Sequence, residues 1–328
     1  MAEKLLIQAI HDGLDEAMAE DERVVIIGED VGTRGGVFRV TDGLKEKYGP
    51  MRVVDSPLAE SLIIGASVGM AANGMIPVPE IQFLDFSTPA MDQIMSEVAR
   101  MRYRSNGDWG CPMVIRMPYG GGIHGALYHS QSIEAIYTHV PGLKVVAPID
   151  PYDAKGMLRE AIFDPDPVIF LEHKKAYRAI RADVPDEPYT VPIGKAKTLR
   201  EGRDLTIISY GAYLYEALRA ADEFVEEQGG SIEVLDLRSL KPLDSEAILN
   251  SVMKTGKALI VHEANRFGGI GGEIAAIIAE EAFAYLDGPV MRLTSPDVPA
   301  MPYSPPLEQA FLITKDDIRA AIERLSAF

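Results

Sequence analysis

The sequence predicts an α/β protein made of two doubly wound domains. Apolar runs typical of buried parallel strands, such as VVIIG at 24–28 and TIIS at 206–209, alternate with helical segments in both halves. A length of 328 residues suits two domains of ordinary size. The segment 181–203 holds three prolines and no sustained period. We therefore predict domains over 1–180 and 204–328, joined by a linker at 181–203.

The elements of the first domain follow the hydrophobic pattern in chain order. Helices are predicted within 1–24 and over 56–74, 87–105 and 151–164, and strands over 23–30, 76–83, 111–118, 143–150 and 165–173. Ser56 with Pro57 is the expected start of the second helix, Gly74 its stop, and Ser87 the cap of the third.

The second domain repeats the alternation on a smaller scale. Strands are predicted over 204–211, 231–240, 257–264 and 289–296, and helices over Tyr213–Gln228, 244–255, 272–286 and 315–325. Strands separated by helices favour right-handed βαβ crossovers and a parallel sheet in each domain.

Charge and cysteine content exclude several classes of protein. The net charge of −17 argues against binding nucleic acid or an anionic membrane by charge alone. The single cysteine, Cys111, excludes an internal disulfide and any multi-cysteine metal site, and suits a reducing compartment. The first residues lack signal-peptide features, and no apolar run is long enough to span a membrane. We expect a cytoplasmic protein.

Three short motifs have alternative interpretations. GASVG at 65–69 matches a nucleophile elbow around Ser67, yet it falls inside a helical pattern, which favours close packing over a serine hydrolase. FGGIGGE at 267–273 lacks the spacing of a dinucleotide loop, so packing is the favoured interpretation. HEANR at 262–266 lacks the second histidine of a zinc protease.

The stretch YGGGIHGALYHSQS at 119–132 combines four glycines with His124 and His129. On a helix these histidines would point apart, and no carboxylate or thiolate lies nearby in sequence to complete a metal site. The glycines indicate a backbone that passes close to something bulky. From these residues alone, each histidine is either structural or catalytic.

Several segments read together resemble one family. In chain order they are VVIIGEDVG, GGVFRVTDGLKEKYG, RVVDSPLAESLIIGASVGMA, EIQFLDF, GALYHSQSIEA, PGLKVVAP, PYDAKGML and LDLRSLKPLD. The chain is similar, from about residue 4 to 320, to the β subunit of the E1 component of 2-oxo acid dehydrogenase complexes, in the transketolase-like thiamine-diphosphate group. The resemblance implies an N-terminal pyrimidine-binding domain and a C-terminal transketolase-type domain.

The resemblance also implies partners. The group holds the diphosphate through magnesium with a G-D-G motif, which this sequence lacks. An α subunit would therefore supply the magnesium–diphosphate half of the site in an α2β2 assembly, and a lipoyl-bearing E2 would accept the acyl group. The chain would act on a small 2-oxo acid only together with that α subunit.

Site residues follow from the same resemblance. Glu60 aligns with the glutamate that supports the protonated ring nitrogen of the aminopyrimidine, and Phe86 with an aromatic that stacks on that ring. Leu58 and Gln82 line the same site, and Glu29 matches an acidic position near a subunit interface. His129 aligns with the active-site histidine that contacts the substrate carboxylate and protonates the lipoyl sulfur; His124 assists it or only packs.

A structural potassium ion in relatives matches five positions here, mostly through main-chain oxygens. They are Met113, Ala161, Ile162, Asp164 and Asp166. GALYHSQS and EIQFLDF look nearer the branched-chain type than the pyruvate type. The alternatives are the C-terminal half of a split transketolase-like enzyme, a serine hydrolase using Ser67, and a non-catalytic scaffold.

Overall fold

The computed structural model describes all 328 residues and divides into two compact units. Unit 1 comprises Met1–Tyr119 and Ile136–Ile193, and unit 2 comprises Gly120–Ala135 and Gly194–Phe328. The glycine–histidine stretch therefore belongs to unit 2, although the residues on either side of it belong to unit 1. The segment predicted as a linker, 181–203, is divided between the two units and contains a strand of each.

The regular elements alternate along the chain. The strands are β1 (Ala2–Leu5), β2 (Val24–Gly28), β3 (Val53–Asp55), β4 (Ile76–Glu80), β5 (Val114–Tyr119), β6 (Lys144–Val146), β7 (Val168–His173), β8 (Arg181–Val184), β9 (Lys197–Arg200), β10 (Leu205–Ser209), β11 (Ile232–Asp236), β12 (Ser239–Lys241), β13 (Ala258–Asn265) and β14 (Met291–Ser295). The helices are α1 (Leu6–Glu20), α2 (Leu44–Tyr48), α3 (Glu60–Ala72), α4 (Met101–Arg104), α5 (Glu134–Thr138), α6 (Pro151–Ile162), α7 (Tyr213–Gln228), α8 (Ser245–Thr255), α9 (Ile270–Glu281), α10 (Pro305–Phe311) and α11 (Lys315–Ser326). No helix combines the length and apolar character needed to cross a membrane.

Unit 1 is built on a parallel sheet in the order β6-β7-β5-β4-β2-β3. The residues of β2, β4, β5 and β7 are buried throughout, as expected for strands covered on both faces. A separate antiparallel pair joins β1 to β8. Between β2 and β4 the chain order reverses direction across the sheet, which creates a topological switch point at the carboxyl ends of these strands.

Unit 2 contains a second sheet in the order β14-β13-β10-β11-β9. Its strands are parallel except β9, which pairs antiparallel with β11 at one edge. Helix α7 spans the predicted bounds, and α11 ends one residue beyond its prediction. The predicted pair of doubly wound α/β domains is confirmed.

Two predicted helix starts are wrong. Helix α3 begins at Glu60 rather than Pro57, because the Ser56 hydroxyl donates to the carbonyl of Pro57 instead of capping the helix. Ser87 lies inside a 3₁₀ turn, 84–90, where its hydroxyl donates to the Leu84 carbonyl at 2.6 Å. A π-helical segment, 93–98, and the short α4 replace the rest of that predicted helix.

Candidate active site

The switch point of unit 1 brings three polar residues to one edge of its sheet. Gly28 at the end of β2 is in register with Glu80 at the end of β4. Glu29 follows β2 directly and Gln82 follows β4, and the Gln82 amide donates to the Glu29 carbonyl at 3.4 Å. Ligands of open α/β sheets bind outside the carboxyl ends of strands at such a point. This edge is therefore the first candidate site.

Glu60 lies close to this edge. It is the first residue of α3, where the helix dipole favours a carboxylate. Burial raises the pKa of Glu29, and the negative charges of Asp30 and Glu60 raise it further. Two carboxylates near each other favour a protonated or cationic ligand between them.

Apolar side chains flank Glu60. Leu58 is 72% exposed and Leu62 is 52% exposed. Phe86 is half-buried and packs edge-on against Phe83, with ring centroids 5.4 Å apart. The hydroxyl of Ser61 donates to the Pro89 carbonyl at 3.1 Å, which ties the start of α3 to the 84–90 turn. The structure thus gathers Glu60, Gln82 and Phe86 on neighbouring elements of unit 1.

The second candidate site is the glycine–histidine loop, residues 120–132, in unit 2. Gly125 packs against His129, since a Cβ at Gly125 would lie 2.8 Å from the His129 Cβ. Gly121 packs against Met301, where a Cβ would lie 2.3 Å from the sulfur. His129 is half-buried and His124 is exposed. The predicted close approach of the backbone to bulky groups thus involves side chains of the same unit.

No group of three or more histidine, cysteine, aspartate or glutamate side chains is placed to hold a metal ion. HEANR begins on strand β13 rather than on a helix, so its first two residues cannot form a helical zinc motif.

FGGIGGE surrounds a buried imidazole. His262 is fully buried, and its Nε2 accepts the Gly271 N–H at 3.3 Å at the start of α9. A Cβ at Gly269 would lie 2.9 Å from this ring, and one at Gly271 only 2.6 Å. These glycines allow α9 to pack closely against β13, which agrees with the packing role favoured from the sequence.

Ser67 does not form a nucleophile elbow. It is fully buried inside α3, and its hydroxyl donates to the Ile63 carbonyl at 2.7 Å. A nucleophile elbow needs an exposed serine on a sharp strand-to-helix turn. The serine hydrolase alternative is therefore wrong.

Beneath the switch point lies a charged network that the sequence analysis missed. Arg116 of β5 is fully buried and contacts Glu172 through two nitrogens, at 2.7 and 2.8 Å, and Glu80 at 2.6 Å. The Tyr177 hydroxyl donates to Glu172 at 2.6 Å. The sequence did carry a signal for this network, namely a charged residue inside each of the apolar strands IPVPE, VIRMPY and VIFLEH.

The five potassium positions lie around the connection from α6 to β7. They are Met113, Ala161, Ile162, Asp164 and Asp166. The Met113 carbonyl accepts the Val168 N–H at 2.9 Å, and the Ala161 carbonyl accepts the Asp164 N–H at 3.3 Å. The Asp164 carboxylate pairs with Lys144, and the Asp166 carboxylate pairs with Arg102. The potassium site stays a prediction.

Comparisons with known proteins agree with this architecture. Residues 4–180 match the transketolase pyrimidine binding domain, and residues 194–318 match the transketolase C-terminal domain. The 2-oxoisovalerate dehydrogenase subunit beta of Bacillus subtilis is 53% identical over 98% of both chains. The chain belongs to the E1 beta subunits of 2-oxo acid dehydrogenase complexes. The pyruvate dehydrogenase E1 component subunit beta of the same organism is also similar to this E1 beta chain, at 48% identity over all of both chains.

One solved structure supports the fold of this E1 beta chain. A split-gene transketolase, described as an inactive beta4 tetramer, matches with a TM-score of 0.79 and 24% identity over 98% of both chains. At that identity the likeness extends to the fold alone.

Proposed function

We propose that this E1 beta chain acts in the thiamine-diphosphate-dependent decarboxylation of a 2-oxo acid and in acyl transfer to lipoyl-E2. The observation that carries the proposal is the position of Glu60 as the first residue of α3, tied through Ser61 to the 84–90 turn that carries Phe86, in the unit that matches a pyrimidine-binding domain. This arrangement fits the aminopyrimidine, which offers a protonated ring nitrogen to one carboxylate. When bound, thiamine diphosphate would supply a nucleophilic carbon for the substrate carbonyl and a cationic ring that takes up the electron pair left when carbon dioxide departs.

Each site residue of this chain has a separate task. Glu60 holds the proton on the pyrimidine nitrogen through a charge-assisted hydrogen bond. Phe86, supported by Phe83, offers a ring face for stacking, and Leu58 and Gln82 line the pyrimidine end. His129 hydrogen-bonds the substrate carboxylate and gives a proton to the lipoyl sulfur, a form of acid catalysis worth about 10²–10⁴ in rate.

An α subunit completes the site in this proposal. The chain has no G-D-G motif. The exposed Leu58 and Leu62 beside Glu60 offer an apolar surface that a partner subunit and the cofactor would cover. We propose an α2β2 assembly in the cytoplasm that delivers its product to E2, with potassium held by the backbone oxygens of the α6–β7 connection.

The substrate is proposed to be a branched-chain 2-oxo acid rather than pyruvate. GALYHSQS and EIQFLDF support this preference. Identities of 53% and 48% to subunits of the two enzyme types do not separate them. Comparing turnover of 2-oxoisovalerate and pyruvate by the assembled complex decides between these substrates.

The test is Glu60→Gln in the chain co-expressed with an α-type subunit. We expect assembly to be kept and lipoyl-dependent decarboxylation to fall by about 100-fold or more, because the neutral amide cannot support the protonated ring nitrogen. Glu46→Gln is the matched control, since Glu46 is an exposed glutamate in the first turn of α2. Unchanged activity of Glu60→Gln would show a scaffold. Ketol transfer without a lipoyl acceptor would show a split transketolase. Activity of this chain without an α subunit would refute a site shared between the two subunits.

A further inference from the structure

The glycine–histidine loop has a strained backbone. Gly120, Gly122, His124 and Ala126 all have φ between 57° and 86°, in the left-handed region. For His124 and Ala126 this conformation costs free energy that the surroundings must offset. Two backbone hydrogen bonds inside the loop, from Gly120 N–H to Gln131 and from His129 N–H to Ala126, offset part of this cost, and contacts from outside the loop add to them.

Glu263 of β13 contacts both ends of the loop. One carboxylate oxygen accepts the Gly121 N–H at 2.6 Å and the Ser132 hydroxyl at 3.0 Å. The side chain is 7% exposed, so these hydrogen bonds form in a water-poor environment where charge-assisted bonds are strong.

Glu308 of α10 contacts the middle of the loop. Its Oε1 accepts the Gly122 N–H at 3.1 Å and the His124 N–H at 3.2 Å, while its Oε2 pairs with the His124 Nδ1. Glu308 is 2% exposed, whereas the His124 side chain is 54% exposed. The His124 imidazole is therefore the solvent-exposed partner of a buried carboxylate.

Packing alone does not explain these two carboxylates. Burying a carboxylate costs several kcal/mol unless it is hydrogen-bonded, and an apolar residue would fill the same space without that cost. Both accept hydrogen bonds from one loop, and three of the five donors are its backbone N–H groups. Such contacts specify backbone course rather than only stability.

We propose that Glu263 and Glu308 are positioning residues that fix the glycine–histidine loop and thereby the place of His129. His124 belongs to this anchor and takes no part in the chemistry. The role of His129 in catalysis rests on the proposed function, but the anchoring does not. The loop carries His129 between Gly125, on which it packs, and Ser132, which Glu263 holds.

The test begins with hydrogen exchange of the full-length chain, followed by mass spectrometry of peptides that cover 120–132. Glu308→Ala removes both carboxylate oxygens, so exchange of these peptides is expected to rise about ten-fold, with sheet peptides unchanged. Glu308→Gln keeps an oxygen for the two N–H groups and is expected to restore most of the protection. Gln309→Ala, an exposed change on the same helix, is the control. Equal loop exchange in Glu308→Ala and the unsubstituted chain would overturn the anchor.

Kinetics of the complex with an α-type subunit test positioning. We expect Glu308→Ala and Glu263→Ala to lower kcat for lipoyl-dependent turnover by about ten-fold, with thiamine diphosphate affinity unchanged and Glu308→Gln close to the unsubstituted enzyme. His124→Ala is expected to lower kcat less than His129→Ala does. Faster loop exchange with unchanged kcat would refute the positioning of His129. The two proposals can fail separately. If Glu308→Ala loses loop protection while Glu60→Gln keeps full activity, the anchor is upheld and the proposed function is refuted.

Discussion

His262 shows how one buried residue couples stability to pH. Burial lowers its pKa from 6.5 to about 4, so the folded chain keeps it neutral. Between pH 6.5 and 4 the unfolded chain binds more protons at this site, and stability from it falls as pH falls. Glu134 acts in the opposite sense, because burial raises its pKa from 4.5 to about 7, an effect that its hydrogen bond from Tyr210 opposes and the charge of Glu263 reinforces.

We predict that His262→Gln has a lower free energy of unfolding than the unsubstituted chain at pH 7.5. The difference between the two chains is expected to shrink by about 2 kcal/mol between pH 6.5 and 5. The glutamine oxygen still accepts the Gly271 N–H but does not titrate. Urea unfolding from pH 7.5 to 5 measures the difference. Glu134→Gln, the control, should change in the opposite direction: its stability relative to the unsubstituted chain should rise as pH rises from 4.5 to 7. A deficit of His262→Gln that stays constant with pH would contradict this account.

At the residue scale, the sequence indicated some roles and could not indicate others. The packing role of the glycines in FGGIGGE followed from their spacing, and His262 confirms it. Glu60 and His129 came from the family resemblance rather than from spacing, and their roles remain proposals. Glu308 lies 186 positions from Gly122, so no local pattern could connect them.

At the scale of elements, β4, β5 and β7 are held together by side chains as well as by their ladders. Arg116 lies between Glu80 and Glu172 on the two neighbouring strands, and all three are buried. One guanidinium satisfies two carboxylates in a bidentate and a single contact. This network ties the carboxyl end of β4, at the switch point, to β5 and β7.

We predict that Arg116→Met destabilises the chain by about 3–5 kcal/mol, because two buried carboxylates lose their cation. Thermal unfolding followed by circular dichroism measures the loss. Adding Glu80→Gln and Glu172→Gln to the same chain should recover part of it, since neutral amides need no counter-charge. Arg100→Met, at an exposed position, is the control. If Arg116→Met and Arg100→Met melt at the same temperature, the network contributes little to the stability of the chain.

Elements were predictable where apolar periodicity decides the structure. The strong pattern of α7 gave its bounds. The helix starts expected at Ser56 and Ser87 failed because both hydroxyls bond to nearby carbonyls instead. The short edge strands β1, β8 and β9 carry too few apolar residues for a periodic signal.

At the scale of the whole molecule, the chain does not divide at one point. Two predicted domains match two sheets, but Gly120–Ala135 belongs with Gly194–Phe328 rather than with its sequence neighbours. Composition could suggest the change near residue 193, where prolines and mixed charge occur. It could not reveal the inserted segment, because the partners of that segment, including Tyr210, Glu263 and Glu308, lie far along the sequence.

A dissected unit 2 tests this partition. A fragment of residues 194–328 leaves Glu263 and Glu308 without their loop donors and Tyr210 without Glu134. The same fragment with 120–135 joined to its start by a flexible glycine–serine linker regains these hydrogen bonds. We expect the joined fragment to melt higher by several degrees, since each buried charged hydrogen bond is worth about 1.5–3 kcal/mol. A joined fragment with 120–135 in scrambled order is the control, and equal melting of all three fragments would show that the segment is no part of unit 2.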